Sequence, residues 1–302
     1  MTGDEDQLMQ WSNGLADAVE HASAWTVTVA ARGRIAATGI MASADGLVVT
    51  ADHVIERDED IEIALGDDGP RPARLVGRDP STDIAVVQVE GGDLPVVDWA
   101  PEDSVRVGHF VLALGRPGAG VQASFGVVSV IGGPWRRRRG EAIEGFVRTD
   151  TTFFPGFSGG PLVDTGGRAI GINSSHFRPG QGITVPAATV QRVIETLRKD
   201  GRIRRAYLGI GSQSTALPAA LRETADGQET ALLIVSVDDE SAAGRAGIMV
   251  GDLLIGIDGE SIADAEALQS ELDSERVGAT VSIRLLRGGE PLELSATLGE
   301  RE

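Results

Sequence analysis

The chain has 302 residues and carries 45 acidic against 27 basic side chains, a formal net charge of −18. This charge argues against a general nucleic-acid binder and against binding to anionic membranes, and the absence of cysteine excludes thiolate catalysis and metal sites held by cysteine. The length favours two domains, and 40 glycines with 13 prolines predict many short strands and turns.

Residues 1–22 are polar and predicted to form a helix, because apolar side chains recur there at helical spacing. These side chains are Leu8, Trp11, Leu15 and Val19. The apolar face has two possible partners, the helix's own domain or another subunit, and the sequence leaves both open.

The start of the chain, MTGDEDQLMQW, is acidic and lacks the basic and apolar regions of a signal peptide. No later run approaches the roughly 18 apolar residues of a membrane span. The chain as given is therefore expected to be soluble and cytoplasmic, without a transmembrane segment. A leader removed before this start would leave the same sequence, so the cell envelope or periplasm is the alternative.

From Trp25 the pattern changes to short β-branched runs separated by turn residues, which is typical of all-β barrels or sandwiches. The predicted strands are Thr26–Ala30, Thr38–Ala42, Gly46–Thr50, Ile61–Ala64, Ala73–Gly77, Ile84–Val89, Val107–Leu114, Val121–Ile131, Glu144–Thr149, Pro161–Val163 and Ala169–Ile172.

A serine lies between glycines in Gly156–Pro161, which reads Gly-Phe-Ser-Gly-Gly-Pro. Glycine tolerates positive φ and lets a backbone N–H come close to a bound carbonyl group. A nucleophilic serine needs such neighbours, because its attack creates an oxyanion that N–H groups must stabilise. Taken alone, this hexapeptide is equally compatible with an ordinary glycine-rich surface turn.

Two further residues point to the same chemistry. His53 follows a predicted strand, and Asp83 precedes the apolar run Ile84–Val89. Alone, they fit a surface histidine and a turn aspartate. With Ser158 they occur in the order His, Asp, Ser, which is the order of the chymotrypsin triad. Imidazole can accept the serine proton and later donate it to the leaving amine, while the carboxylate fixes the tautomer.

Three blocks of sequence resemble the active-site blocks of the HtrA/Deg proteases, which are trypsin-like. They are Thr50–Ile55, Ser81–Val86 and Pro155–Val163. Ile170–Asn173 and Gly182–Pro186 resemble two further blocks of that family, in the right order. The resemblance covers most of the chain.

The resemblance implies a mainly β fold in which a chymotrypsin-like double β-barrel protease domain precedes an α+β PDZ domain. The N-terminal helical segment would cover residues 1–22, with a possible oligomer contact, and the protease domain residues 23–187. A linker helix would follow over 188–204 and the PDZ domain over 205–302. Such enzymes cut unfolded or damaged polypeptides without ATP in protein quality control and the stress response, usually as homotrimers. No metal or organic cofactor is indicated.

Carried over by position, the resemblance implies that Ser158 is the nucleophile, His53 the general base and Asp83 its orienting carboxylate. The backbone N–H groups of Gly156 and Ser158 would form the oxyanion hole. The primary specificity pocket would lie at Thr152, Ile172 and Asn173. An uncharged Thr152 predicts small or medium apolar residues before the scissile bond.

The oxyanion loop departs from the family pattern. The family usually has Asn-Pro-Gly-Asn-Ser where this chain has Phe-Pro-Gly-Phe-Ser over Phe154–Ser158. The side chain before the serine helps to set the loop, so Phe157 puts the loop's geometry in question. The alternative is therefore a catalytically weak or inactive PDZ-bearing chaperone or adaptor.

Four adjacent arginines, Arg136–Arg139, lie between two predicted strands. They are compatible with an anion or nucleic-acid site, but a charge run more often forms a solvated loop. In the family this region resembles an activation loop, where basic side chains would meet an acidic neighbouring subunit.

The last third of the chain resembles a PDZ domain of the HtrA type, which follows an amphipathic helix predicted over 188–199. Such domains bind a peptide C-terminus or an exposed segment by strand addition. Tyr207, Leu208, Gly209 and Ile210 match the loop that holds the peptide carboxylate. Residues 205–302 carry 18 acidic and 7 basic side chains, a net 7 − 18 = −11, so acidic tails are expected to be disfavoured as ligands.

Overall fold

The computed structural model describes residues 2–33, 35–66, 68–133, 135–136, 142–143, 145–177, 182–203, 206–272 and 276–300. The chain divides into two compact units, Met1–Trp135 with Ile143–Ile203 and Arg136–Ala142 with Arg204–Glu302. The predicted arginine run, Arg136–Arg139, lies outside the residues whose side chains are described, so its role stays a prediction.

Helix α1, Thr2–Ser23, packs on its own unit through the C-terminal part of its apolar face. Leu15 and Val19 pack against the core of the first unit. Leu8 and Trp11, nearer the N-terminus, leave 74% and 62% of their surface exposed. The C-terminal half of α1 is therefore docked on its own domain, while the first half presents apolar side chains to the outside.

Six short strands form the first closed barrel. They are β1 Thr26–Ala30, β2 Ala37–Met41, β3 Leu47–Ala51, β4 Ile61–Ala64, β5 Arg71–Asp79 and β6 Ile84–Val89. They pair in the order β1-β2-β3-β6-β5-β4. Their β-branched side chains suit a buried, pleated surface, and every residue of β3 is buried. A single 3-10 turn, Asp52–Val54, follows β3 and carries His53.

The second barrel has the same strand number. Its strands are β7 Phe110–Gly115, β8 Gln122–Gly132, β11 Phe146–Thr149, β12 Pro161–Val163, β13 Ala169–Ser174 and β14 Ile183–Pro186. Between β8 and β11 the chain forms a separate two-stranded ribbon of β9 Trp135–Arg136 and β10 Ala142–Ile143. The barrel strands close in the order β11-β14-β13-β12-β7-β8. β7 begins at Phe110 rather than at the predicted Val107, because Gly108 turns the chain with a φ of 92°. The predicted double barrel is confirmed.

Helix α2, Ala187–Asp200, follows β14 and belongs to the first unit. Val190, Val193 and Leu197 form its buried face. The helix ends where Gly201 adopts a left-handed conformation and donates its N–H to the Leu197 carbonyl at 2.9 Å, a common helix C-terminus. Among the helices that the structure describes, none is long and apolar enough to cross a membrane.

The second unit is built on a sheet with the strand order β16-β17-β18-β20-β21, and β19 pairs with β18. Its elements in chain order are β15 Ala206–Tyr207, β16 Ile210–Ala216, α3 Ala219–Arg222, β17 Thr230–Val237, α4 Ala242–Ala246, β18 Leu253–Ile257, β19 Glu260–Ser261, α5 Ala265–Ser270, β20 Thr280–Arg287, β21 Glu290–Thr297 and β22 Gly299–Glu300. β15 pairs with β22. β16 is an edge strand, and α5 lies beside it.

Candidate active site

Pairing of β3 with β6 brings His53 and Asp83 together. Ala51 at the end of β3 lies opposite Ile84 at the start of β6, so the residues just beyond these ends meet at one edge of the barrel. Nδ1 of His53 lies 2.8 Å from Oδ2 and 3.0 Å from Oδ1 of Asp83. The backbone N–H of His53 donates to Oδ1 at 2.9 Å. The carboxylate thus fixes both the ring and the backbone of His53.

Asp83 is itself held firmly. It is only 2% exposed, and its φ of 56° lies in the left-handed region that aspartate tolerates better than most residues. The hydroxyl of Ser174 donates to Oδ2. When Nδ1–H of His53 is donated to this carboxylate, Nε2 is left as the basic nitrogen. His176 stacks on the His53 ring, with ring centroids 5.4 Å apart and planes at 18°.

Ser158 lies in the loop that precedes β12. The next residue, Gly159, has a φ of 84°, and a Cβ there would lie 2.1 Å from the backbone oxygen of Thr38. Only glycine fits this close approach of the loop to the first barrel. The Gly159 N–H donates to the Asn173 carbonyl at 2.8 Å, which ties the loop to β13. Ser158 is 7% exposed.

A cleft of about 460 Å³ contains both Ser158 and His53. It is also lined by Arg32, Ile35, Phe153, Phe154, Pro155, Gly156 and Ser175. The Oγ atoms of Ser158 and Ser175 lie 2.9 Å apart, and within the described residues no hydrogen bond joins Ser158 to His53. Catalytic hydrogen bonds are often long before substrate binds, so the arrangement is compatible with proton transfer after rotation of Ser158.

A tight turn precedes the serine. The Phe157 N–H donates to the Phe154 carbonyl at 3.0 Å, and Gly156 between them has a φ of 91°. Proline followed by a left-handed glycine at the two central positions is typical of a type II turn. A Cβ on Gly156 would lie 2.6 Å from Cβ of Pro117, so the position requires glycine for space as well as for φ.

Phe157, whose presence put the geometry of the oxyanion loop in question, points into the second barrel. It is completely buried, and its neighbours in that core include Val111 and Leu162. Its ring packs edge-on against Phe154, with centroids 5.3 Å apart. A Cβ on Gly115 would lie 2.3 Å from the ring, so a strand glycine makes room for it. Phe157 therefore anchors the oxyanion loop from inside.

Comparison with known proteins agrees with this architecture. Residues 37–172 match the trypsin-like peptidase domain, and residues 206–298 match the PDZ domain. The solved structure of the HtrA-type protease AlgW with a tripeptide is 30% identical and superposes with a TM-score of 0.75, covering 95% of this chain and 97% of AlgW. The chain belongs to the HtrA/Deg protease family.

Two curated relatives share this HtrA/Deg architecture over part of their length. A probable periplasmic serine endoprotease DegP-like from Pseudomonas putida is 31% identical over 268 residues, which are 87% of this chain and 55% of the relative. The periplasmic serine endoprotease DegP from Salmonella typhimurium is 32% identical over 269 residues, 86% of this chain and 55% of the relative. The chain thus spans about half the length of the curated relatives it matches.

The three residues predicted for the specificity pocket, Thr152, Ile172 and Asn173, are not among the residues that line this cleft. Thr152 is exposed and does not line the cleft. Ile172 is 1% exposed and belongs to the core. Asn173 is fully buried; its Nδ2 donates to the Pro161 carbonyl and its Oδ1 accepts the Thr184 hydroxyl, each at 2.8 Å. The Ile172 and Asn173 side chains thus pack and hydrogen-bond inside the barrel and do not line the cleft.

Ser174 and Ser175 are site residues that the sequence reasoning missed. Ser174 supports Asp83, and Ser175 contacts Ser158 in the cleft. Both directly follow the block Ile170–Asn173, so extending that block along β13 would have found them. Phe153, which directly follows Thr152, lines the cleft, and its ring lies 2.1 Å from where a Cβ on Gly182 would be.

The predicted peptide-binding loop of the PDZ unit connects β15 to β16. Leu208 is buried, and its carbonyl accepts the Ala243 N–H at 2.8 Å. The Gly209 carbonyl accepts the Asp238 N–H at 2.9 Å. Gly209 has a φ of 87°, and a Cβ there would lie 2.0 Å from Cβ of Ser241. Within the described residues, the N–H groups of Leu208 and Gly209 have no backbone acceptor, so this loop can offer donors.

Asp52, next to His53, is a carboxyl group with a shifted pKa. Burial raises the pKa of Asp52 from 3.8 to about 6, in keeping with a side chain that is only 15% exposed. Arg78, whose Nε lies 3.2 Å from Oδ1, opposes the shift. The carboxylates of Asp83 and Asp79 add to it, and His53 opposes it weakly.

We expect Asp52→Asn to stabilise the protein at neutral pH. The folded chain keeps Asp52 protonated up to about pH 6 and the unfolded chain only to about 3.8, so the folded state binds more protons between these values. The contribution of Asp52 to stability is therefore fully present below its unfolded-state pKa of 3.8 and is lost as pH rises through its folded-state pKa of about 6. The gain in unfolding free energy should be on the order of 1–3 kcal/mol near pH 7.5 and smaller near pH 5.

Urea unfolding of both proteins near these two pH values measures the effect. Asp58→Asn is the matched control, because Asp58 also pairs with Arg78, at 3.0 Å, but its side chain is 69% exposed. It should change the unfolding free energy little at either pH. An equal gain for Asp52→Asn at both pH values would contradict the assigned cause.

Proposed function

We propose that this protein is an ATP-independent serine endopeptidase that acts on unfolded or damaged polypeptides, with Ser158 as nucleophile. The observation that carries the proposal is that His53, which lines the same cleft as Ser158, is hydrogen-bonded to the buried carboxylate of Asp83. Membership of the HtrA/Deg family supports the reaction type, and the curated relatives are named serine endoproteases.

In the proposed reaction, Oγ of Ser158 attacks the carbonyl carbon of the scissile peptide bond while Nε2 of His53 takes the hydroxyl proton. Asp83 holds the imidazole in the required tautomer and stabilises the imidazolium that forms. His53 then gives the proton to the nitrogen of the leaving amine as the C–N bond breaks. Water, activated in the same way by His53, hydrolyses the acyl-enzyme and restores Ser158.

The tetrahedral intermediate carries a negative oxygen, for which we assign the N–H groups of Gly156 and Ser158 as donors. The turn before Ser158 supports this assignment, because the left-handed Gly156 is fixed between Phe154 and Phe157. Donors that are positioned before the reaction need no rearrangement as charge develops, and each is worth about 10²–10³ in rate.

Substrate preference should follow from the cleft. Its lining is largely apolar, with Phe153, Phe154, Pro155 and Ile35. No acidic side chain is among the lining residues that the structure describes. We therefore propose small or medium apolar residues before the scissile bond, in keeping with the apolar side chains of the cleft.

For the second unit we propose recognition of peptide C-termini or exposed segments at Tyr207–Ile210. The edge strand β16 can accept a peptide strand, and the donors of Leu208 and Gly209 suit its terminal carboxylate. We assign residues 1–22 to the N-terminal helical segment, 23–187 to the protease domain, 188–204 to the linker helix and 205–302 to the PDZ domain. No nucleic-acid partner and no cofactor enter this proposal.

We also propose assembly into a homotrimer, as the family resemblance implies. An aromatic cluster supports self-association: the rings of Trp11 and Phe110 lie 5.5 Å apart and those of Phe110 and Phe125 5.2 Å apart. All three side chains are at least 37% exposed, and such patches mark protein contacts. Because the two relatives are named periplasmic, we propose the cell envelope rather than the cytoplasm.

Reaction with a fluorophosphonate probe tests the proposed function. We expect intact-mass analysis to show one adduct on the wild type and none on Ser158→Ala, because only an activated serine reacts at a useful rate. Digestion of denatured casein, with mapping of the cleaved bonds, then tests the apolar preference. If the wild type takes no adduct, even with denatured protein or an apolar C-terminal peptide added, the chaperone or adaptor becomes the better interpretation.

A further inference from the structure

Thr38 connects the first barrel to the loop that carries the nucleophile. It lies on β2 and is completely buried. Its hydroxyl donates to the Gly156 carbonyl at 2.7 Å, and its backbone N–H donates to the Ser158 carbonyl at 3.2 Å. The two residues proposed to form the oxyanion hole are thus both attached to this one threonine.

The direction of the hydroxyl bond follows from its neighbours. The backbone N–H of Arg116 donates to Oγ1 of Thr38 at 2.7 Å. The Gly156 carbonyl has no proton to give, so the hydroxyl hydrogen of Thr38 must be the one donated to it. A chain of donors therefore runs from Arg116 through Thr38 to Gly156. The Thr50 hydroxyl, donating to the Thr38 carbonyl at 2.7 Å, holds the strand at the same point.

We propose that Thr38 is a positioning residue for the oxyanion hole: by holding the Gly156 carbonyl it fixes the peptide group between Gly156 and Phe157, and with it the Cα of Gly156 to which the N–H donor is attached. The inference rests on the proposed protease function. Glycine rotates more freely than any other residue, and the Thr38 hydroxyl adds a hydrogen bond to the restraint that the Phe154–Phe157 turn and the close packing on Pro117 give Gly156. Without the Thr38 hydroxyl, the hydrogen bonds from the Arg116 N–H to Thr38 and from Thr38 to the Gly156 carbonyl would both be lost, and the glycine would be freer to rotate.

Thr38→Val is the direct test, because valine keeps the shape of threonine and removes the hydroxyl. Losing an oxyanion donor outright lowers kcat about 10²–10³-fold, so a misdirected donor should lower kcat roughly 10–100-fold. KM should change little, since the hydroxyl does not touch substrate. Thr38→Ser, which keeps the hydroxyl, should remain within about threefold of the wild type.

Thr26→Val is the matched control. Thr26 is also fully buried on a neighbouring strand, and its hydroxyl also donates to a backbone carbonyl, that of Ala22, at 2.7 Å. Both valine variants should lose stability in urea unfolding, Thr38→Val somewhat more because its hydroxyl makes two hydrogen bonds rather than one, but only Thr38→Val should lose kcat. A peptide boronic acid mimics the tetrahedral intermediate. Its affinity for Thr38→Val should therefore fall by about the same factor as kcat.

Equal kcat losses in the two valine variants, or a loss confined to KM, would overturn the proposal. If the wild type itself is unreactive, the protease function fails, and hydrogen exchange of the peptide covering residues 153–161 decides about Thr38. Exchange should then be faster in Thr38→Val than in Thr38→Ser and Thr26→Val. Unchanged exchange would show that Thr38 does not hold the loop.

Discussion

Asp83→Asn is expected to lower kcat/KM about 10⁴-fold, the size of effect known for the corresponding change in the chymotrypsin triad. Asparagine has nearly the shape of aspartate but presents an N–H group where His53 needs an acceptor. The Nδ1 atom, which lies 2.8 Å from Asp83 Oδ2, would then act as the acceptor. The proton would move to Nε2, which could no longer take the proton of Ser158.

Asp79→Asn is the control for this measurement. Asp79 is also buried, at 4% exposure, but its carboxylate accepts hydrogen bonds from Ser81 and Thr82 rather than from His53. Steady-state hydrolysis of a fluorogenic apolar peptide should show a loss of less than about tenfold for this variant. If both asparagine variants lost activity equally, the effect of Asp83→Asn would be structural and the proposed role of Asp83 would fail.

Phe157→Ala should lower the free energy of unfolding of the protease unit by about 3–5 kcal/mol, the usual cost of removing a buried phenylalanine ring. The ring is completely buried, and Gly115 leaves the room that it fills, so its loss opens a cavity in the second barrel. Activity should fall as well, because the Gly156 turn is continuous with this anchor. Urea unfolding with an unchanged m-value measures the loss of stability.

Two companion variants separate size from polarity at this position. Phe157→Leu keeps an apolar side chain and should cost clearly less than alanine. Phe157→Asn introduces the residue usual in the family, but here its amide would enter an apolar core and should cost at least as much as alanine. A stable, more active Phe157→Asn protein would show instead that the phenylalanine weakens the oxyanion loop. That result would favour the alternative of a catalytically weak chaperone or adaptor.

The strand pattern predicted barrels or sandwiches, the order of His53, Asp83 and Ser158 gave the catalytic candidates, and the resemblance to the HtrA/Deg proteases implied two barrels. Short β-branched runs with frequent turns need closed or stacked sheets to bury both faces, and the structure has two closed barrels. His53, Asp83 and Ser158 could be proposed together because each lies next to a predicted strand end, where a side chain leaves the barrel wall. The positive φ angles of Gly156 and Gly159 agree with the tolerance for such angles that the sequence analysis attributed to these glycines.

Contacts between distant segments were decided only by the tertiary structure. Which way a strand residue faces depends on its register and on what covers each side, and the sequence therefore did not exclude Ile172 and Asn173 from the cleft. Phe157 could be judged only once Gly115, which is far away in sequence, was known to make space for it. Ser174 reaches Asp83 across 91 positions and Thr38 reaches Gly156 across 118. No local pattern encodes such hydrogen bonds, because the closed barrels alone bring these partners together.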